Sequence, residues 1–222
     1  MADKKKIGVV LSGCGVYDGA EIHETVLTLL AIEQAGAEAV CMAPNVDQLH
    51  VINHLTGDEM NEKRNVLVEA ARIARGNIVD IASVKADDID ALMFPGGFGA
   101  AKNLCDFAVN GENCNVHPEV MRLVREFKDK QKPQAAVCIA PAMMAKIYQG
   151  TDVHPVLTIG NDAGTSAKME AMGSRHQTAT VTEAVVDAEN KIVTSPAYML
   201  GQSISEVKEG IDRTVAELMK LL

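Results

Sequence analysis

Gln134-Ala135-Ala136-Val137-Cys138-Ile139-Ala140-Pro141-Ala142-Met143-Met144-Ala145 decides the fold. It opens as a short run of small apolar residues, passes through a cysteine, and meets a proline where a helix can begin. Pro is tolerated in the first helical turn because that N–H has no intrahelical partner. The stretch therefore reads as a strand over 134–139, a tight turn, and a helix over 140–148. A buried strand feeding directly into a helix is the repeating joint of α/β architecture.

The same alternation extends in both directions. Ile7–Leu11 is short, β-branched and bounded by glycine. Glu24–Ala35 carries Val26, Leu27, Leu29, Leu30 and Ile32 at helical spacing and stops at Gly36, a helix-end signal. Glu38–Ala43 reads as a strand halted by Pro44, Glu62–Arg75 as a helix closed by Gly76, and Ile89–Phe94 as a strand entering Pro95-Gly96-Gly97. Pro118–Lys130 is a helix with Pro in its first turn. Thr180–Val186 and Lys191–Ser195 form a strand pair across Asp187–Asn190, and Gln202–Leu222 is a closing amphipathic helix. The strands are continuously apolar, which marks a mostly parallel sheet covered on both faces. With no linker or break in composition, residues 1–222 are expected to form a single domain. Segments 44–61, 98–117 and 160–179 exceed what a minimal α/β unit needs.

Composition narrows the function classes. The chain has 222 residues, 47% of them hydrophobic and 23% charged, with a net charge of −9. That excludes disordered and fibrous classes. No basic stripe is present and aromatics make up only 3%, so neither nucleic-acid nor membrane-surface partners are expected. The apolar run after Lys4-Lys5-Lys6 ends at Ser12-Gly13, too short for a signal peptide, and no stretch approaches the ~18 apolar residues of a membrane span. The five cysteines form no C-x-x-C pair. They are read as reduced thiols, and the protein as cytoplasmic.

In parallel sheets, ligands bind beyond the carboxyl ends of the strands. Three such ends carry candidate chemistry. At the third, Cys138 faces a helix N-terminus, whose free N–H groups and dipole favour a thiolate; an inert buried cysteine is the alternative. At the second, Pro95-Gly96-Gly97-Phe98-Gly99 lets backbone N–H groups approach a ligand and could supply an oxyanion hole. The first, Gly13-Cys14-Gly15-Val16-Tyr17-Asp18-Gly19, imitates a dinucleotide fingerprint but has Asp18 where the third glycine belongs. Ala43-Pro44-Asn45 also stands where the ribose-binding acid is expected, so no nucleotide cofactor is expected. Glu24, early in its helix, could serve as a general acid/base or simply answer the helix dipole. His50 and His54 are four apart, with Asp47 nearby, but the set lacks a convincing ligand spacing and no metal is expected.

Longer motifs add a resemblance. Gly8–Gly19, Glu21-Ile22-His23-Glu24, Val51–Gly57, Pro95–Leu104, Cys138–Met143 and Thr194–Tyr198 resemble the ElbB-type glyoxalases of the PfpI-like superfamily, which is related to class I glutamine amidotransferase domains. The resemblance covers essentially the whole chain. It implies a flavodoxin-like three-layer sandwich, with Cys138 as nucleophile and Glu24 contacting its sulfur. It also implies the Gly97 and Ile139 amides as oxyanion donors. Many relatives carry a histidine soon after the elbow helix, whereas this chain has Leu157-Thr158-Ile159-Gly160-Asn161 there. His23 and His154 are candidate substitutes.

By that resemblance the expected activity is glyoxal to glycolate through a cysteine hemithioacetal, a lyase reaction on a small dicarbonyl or aldehyde without glutathione or any cofactor. Two rivals stand beside it. A glutamine amidotransferase would need a Cys–His–Glu triad, and no His-x-Glu follows Cys138. A non-enzymatic redox sensor would need only the thiol. A homodimer is expected with the site near the subunit boundary; segments 44–61 and 98–117 would lid a crevice or dock the neighbour, and their Phe98, Leu104 and Phe107 suit either that or a local core. Cys14 is expected to face the same crevice as Cys138.

Overall fold

The computed structural model describes residues 4–222. Nine strands run in chain order: β1 (Lys6–Val10), β2 (Glu38–Ala43), β3 (Val79–Asp80), β4 (Ala91–Phe94), β5 (Gln134–Val137), β6 (Val156–Leu157), β7 (Arg175–His176), β8 (Val185–Asp187) and β9 (Ile192–Ser195). The α-helices are α1 (Ile22–Gln34), α2 (Val66–Ile73), α3 (Phe98–Lys102), α4 (Phe107–Asn110), α5 (Pro118–Asp129), α6 (Ala140–Tyr148), α7 (Ala163–Ala171) and α8 (Ile204–Lys220). Seven strands form one sheet in the order β3-β2-β1-β4-β5-β9-β8, and β6 pairs with β7 alone. Every pairing in the large sheet is parallel except the β8–β9 hairpin.

Strand alternation builds the three layers. Val10, Met42, Leu92, Phe94 and Ala136 point to one face, where they pack with Val120, Leu123 and Phe127 of α5 and Met143 and Ile147 of α6. Ile7, Val9, Cys41, Met93, Ala135 and Val137 point to the other, against Leu27 and Ile32 of α1, Ala70 of α2 and Ile211 and Val215 of α8. The expected mostly parallel sandwich is therefore the observed one, and it puts the ends of β1, β4 and β5 side by side.

Local boundaries differ from the sequence reading where side chains compete with periodicity. The second helix begins at Val66, not Glu62, because Asn65 caps it by accepting from the Val68 N–H at 3.0 Å. The preceding residues instead bridge back to segment 46–48, with Gln48 N–H donating to Arg64 O and Val66 N–H to Val46 O, both at 2.8 Å. Thr180–Glu183 is a turn, not a strand. Glu183 accepts the Thr180 N–H at 2.8 Å and its own N–H bonds Thr180 O at 3.1 Å, so extended backbone starts only at Val185. Strand β3, at two residues, left no hydrophobic run to detect.

The long segments are mostly structural. Segment 98–117 contains α3 and α4 and tucks Leu104 and Phe107 into the core. Those two side chains thus take the local-core alternative. Segment 44–61 is pinned by Asn103, which accepts from Leu49 N–H at 3.0 Å and donates to Ser12 O and Asp18 O. Among the described residues no helix is long and apolar enough to cross a membrane.

Candidate active site

Cys138 sits between β5 and α6 with φ at +61°, in the left-handed region that side chains rarely adopt. A non-glycine residue held there costs of order 1–3 kcal/mol, and such strain concentrates at functional turns. The turn is held by the Cys138 N–H, which bonds Ser195 O at the end of β9 at 3.0 Å. Its effect is to aim the thiol off the sheet toward the ends of β1 and β4.

Glu24, in the first turn of α1, reaches the same point and is completely buried. One carboxylate oxygen accepts the Gly96 N–H at 2.9 Å and the other the Tyr198 N–H at 3.1 Å. The carboxylate lies beside the Cys138 thiol, the two flanking the same point above Gly96. Helix α1 is set at this angle by Glu21, its N-cap, whose side chain accepts the Glu24 N–H at 2.7 Å. The backbone amides of Gly97 and Ile139 lie near the sulfur and favour its charged form.

Close approach is possible only because position 96 has no side chain. A Cβ on Gly96 would lie 2.3 Å from Cys138 Cβ and 2.8 Å from a Glu24 oxygen. Gly97, at φ +90°, leaves no more room, since a Cβ there would meet the Glu21 amide at 2.4 Å. The glycine-dense turn expected to supply backbone donors thus also lets the acid and thiol meet.

Electrostatics departs from the sequence expectation. Burial, helped by the nearby Glu21 carboxylate, pushes the Glu24 carboxyl up to about 7 against the opposing Tyr198 and Gly96 amides and the neighbouring Cys138 thiol. Burial, and after it the facing Glu24 carboxylate, hold the Cys138 thiol well above its ordinary value. The Gly97 and Ile139 amides favour the thiolate but are outweighed. A low-pKa thiolate, expected from the helix N-terminus alone, is therefore not the resting state. The two groups retain a proton between them, because two adjacent negative charges in a buried space are strongly disfavoured.

The thiol opens into a cavity of about 380 Å³ lined by Val16, Phe98, Ile139, Tyr198 and Met199, with Glu21, Asp162 and Thr165 among the remaining walls. Asp162 caps α7, so the extra segment 160–179 supplies one wall. His23 bonds the Tyr198 hydroxyl at 2.8 Å and so touches the edge of the site. His154 does not reach it. It is exposed, and its ring bonds Gly173 O at 2.9 Å. Cys14 also misses the cavity. Its electrostatic neighbours are Glu69, Arg72, Asp18 and Arg64, on the α2 side. His50 and His54 lie on a non-helical loop, where His54 accepts the Tyr17 N–H at 3.2 Å, so the helical pairing considered for them does not form. Among the described residues that line the cavity there is no histidine.

Tyr198 is the residue that sequence reasoning passed over. It contributes through its backbone N–H, and only the Thr194–Tyr198 motif pointed toward it.

The DJ-1/PfpI family profile matches residues 14–200. The ES1 protein homolog, mitochondrial, of Rattus norvegicus is 44% identical over 228 residues, covering 98% of this chain and 84% of the relative. The glutamine amidotransferase-like class 1 domain-containing protein 3, mitochondrial, of Homo sapiens is 45% identical over 226 residues, covering 97% and 83%. The crystal structure of an isoprenoid biosynthesis protein with amidotransferase-like domain from Ehrlichia chaffeensis matches with a TM-score of 0.91 at 35% identity, covering 98% of this chain and all of the other. The names of the two curated relatives overturn the cytoplasmic expectation and point to the mitochondrion. Reduced thiols could not make that distinction, because they do not separate one reducing compartment from another.

Proposed function

The chain belongs to the DJ-1/PfpI family, and from that premise we propose that it is a cofactor-independent glyoxalase. One observation carries the reading: the buried Glu24 carboxylate, with raised proton affinity, stands beside a thiol that opens into a cavity. The Cys138 sulfur attacks one carbonyl of glyoxal as its proton passes to Glu24, and the new alkoxide is protonated to a hemithioacetal. Amides of Gly97 and Ile139 stabilise the developing oxyanion. Glu24, again as carboxylate, removes the C–H proton of the hemithioacetal carbon to give an enediol. It returns a proton to the neighbouring carbon. The first carbon is now oxidised to a thioester and the second reduced to an alcohol, so no external oxidant is required. Water cleaves the thioester to glycolate and restores the thiol.

An acid whose pKa lies near neutrality can act both as base and as acid within one cycle. The value of about 7 for Glu24 suits that double role. A redox sensor would need only the thiol, so the buried Glu24 carboxylate beside it favours the catalytic reading. His23 would act only through the Tyr198 hydroxyl, at the mouth of the cavity. We also propose a homodimer. Helix α1 presents Ile22, Val26 and Leu30, spaced four apart, to solvent beside the site, at 43%, 48% and 37% exposure. Product analysis with glyoxal and methylglyoxal tests the activity. Wild type should form glycolate and lactate, and Cys138→Ala neither; equal formation by both proteins would refute it.

A further inference from the structure

The cavity over Cys138 is far larger than the substrate named above. Cavities of roughly 300–1,000 Å³ hold ligands of many atoms, and this one is about 380 Å³. Glyoxal, two carbons long, would leave most of it to water. Four of its walls, Val16, Phe98, Ile139 and Met199, are apolar side chains. The ionisable lining groups are carboxyls, Glu21 and Asp162, together with the reactive thiol and the Tyr198 hydroxyl; no Lys or Arg lines the space. Lys102, the nearby cation, lies over the Phe98 ring at 5.3 Å and donates to Tyr17 O at 2.9 Å, and it is not part of the cavity wall.

Resting on the glyoxalase reading, we propose that the cavity selects neutral 2-oxoaldehydes bearing an apolar substituent of several carbons over glyoxal itself. The aldehyde carbon sits at Cys138, and the substituent extends along Val16, Phe98 and Met199. The chemistry is unchanged: R–CO–CHO plus water gives R–CH(OH)–COOH, the terminal carbon oxidised and its neighbour reduced. Carboxylate-bearing aldehydes are rejected, because Glu21 and Asp162 offer repulsion and no lining cation offsets it. Phe98 is the specificity-determining side chain. It is half-exposed, so its removal disturbs packing little.

The test has two readouts. In the first, kcat/KM is measured for glyoxal, methylglyoxal and straight-chain 2-oxoaldehydes up to 2-oxooctanal. It should rise about threefold or more per methylene, the scale set by burying one CH₂ group. Phe98→Ala should flatten that rise, with kcat/KM falling most for the longest 2-oxoaldehydes. In the second, alkylation of Cys138 is followed with hexan-1-ol, hexanoate or ethylene glycol present. Only hexan-1-ol should protect. Turnover that is flat or falling with chain length overturns the proposal. So does protection by hexanoate equal to that by hexan-1-ol. If no 2-oxoaldehyde is turned over yet hexan-1-ol alone protects, the glyoxalase reading fails while the neutral, apolar preference stands. If neither occurs, both fail.

Discussion

The Glu24 carboxylate and the Cys138 thiol stand side by side over Gly96, both buried. Burial raises the hold of each on a proton, the Glu24 carboxylate raises that of Cys138 further, and backbone amides from three separate segments converge on the pair. Converting Glu24 to Gln removes the base and sets an amide N–H against the Gly96 or Tyr198 N–H. Turnover should fall by roughly 10²-fold or more, the usual scale for general acid–base catalysis. Initial rates of the purified variant at neutral pH check this, and an unchanged rate would reduce Glu24 to a helix-positioning group.

The same carboxyl makes stability depend on pH. Its folded-state pKa of about 7 lies above the ordinary 4.5, so the folded protein binds more protons than the unfolded chain between those values. Stability contributed by this group is therefore full below about pH 4.5 and is lost as pH rises toward 7. The loss is on the order of 3 kcal/mol by linkage. Denaturant midpoints from pH 5 to pH 8 should fall in wild type by more than in Glu24→Gln. Parallel curves would contradict the raised pKa.

Gly96→Ala should be as damaging as loss of a catalytic group. Its methyl would have to occupy a point 2.3 Å from Cys138 Cβ, and displacing reacting groups by about 1 Å can cost about 10²-fold. Activity and thermal midpoint together separate the outcomes: activity near wild type would show that the turn can yield.

The sandwich was legible because its signals are local, whereas the pairing of Glu24 with Cys138 rested on the family resemblance, since Glu24 alone reads more readily as an acid answering the helix dipole. The Val137-Cys138 strand end and Pro141 at the helix start are short-range signals. Thiol acidity was not legible. The helix N-terminus is visible in sequence, but burial and a facing carboxylate are products of tertiary packing. His154 failed for a similar reason. Proximity in the chain to the elbow helix did not fix its direction, and a bond to Gly173 holds it elsewhere. His154→Ala should therefore leave kcat/KM within about twofold of wild type, as expected for an exposed residue away from the site. Steady-state kinetics on glyoxal would show any larger loss.

Assembly can be read from one substitution. If the Ile22, Val26 and Leu30 stripe joins two copies, Val26→Glu places a charge in the middle of the interface. Light scattering at micromolar concentration should then give a dimer for wild type and a mass near 23.7 kDa for the variant. Identical masses would remove α1 as the contact.

Covalent capture tests the central chemistry most directly. Wild-type protein is mixed with glyoxal, quenched in acid during turnover, and digested for mass spectrometry. The Cys138 peptide should carry the mass of one glyoxal, and the adduct should build up in Glu24→Gln, where proton transfer is blocked. Glycolate formed with no adduct on Cys138, or an adduct found equally on Cys14, would contradict nucleophilic catalysis by the elbow thiol.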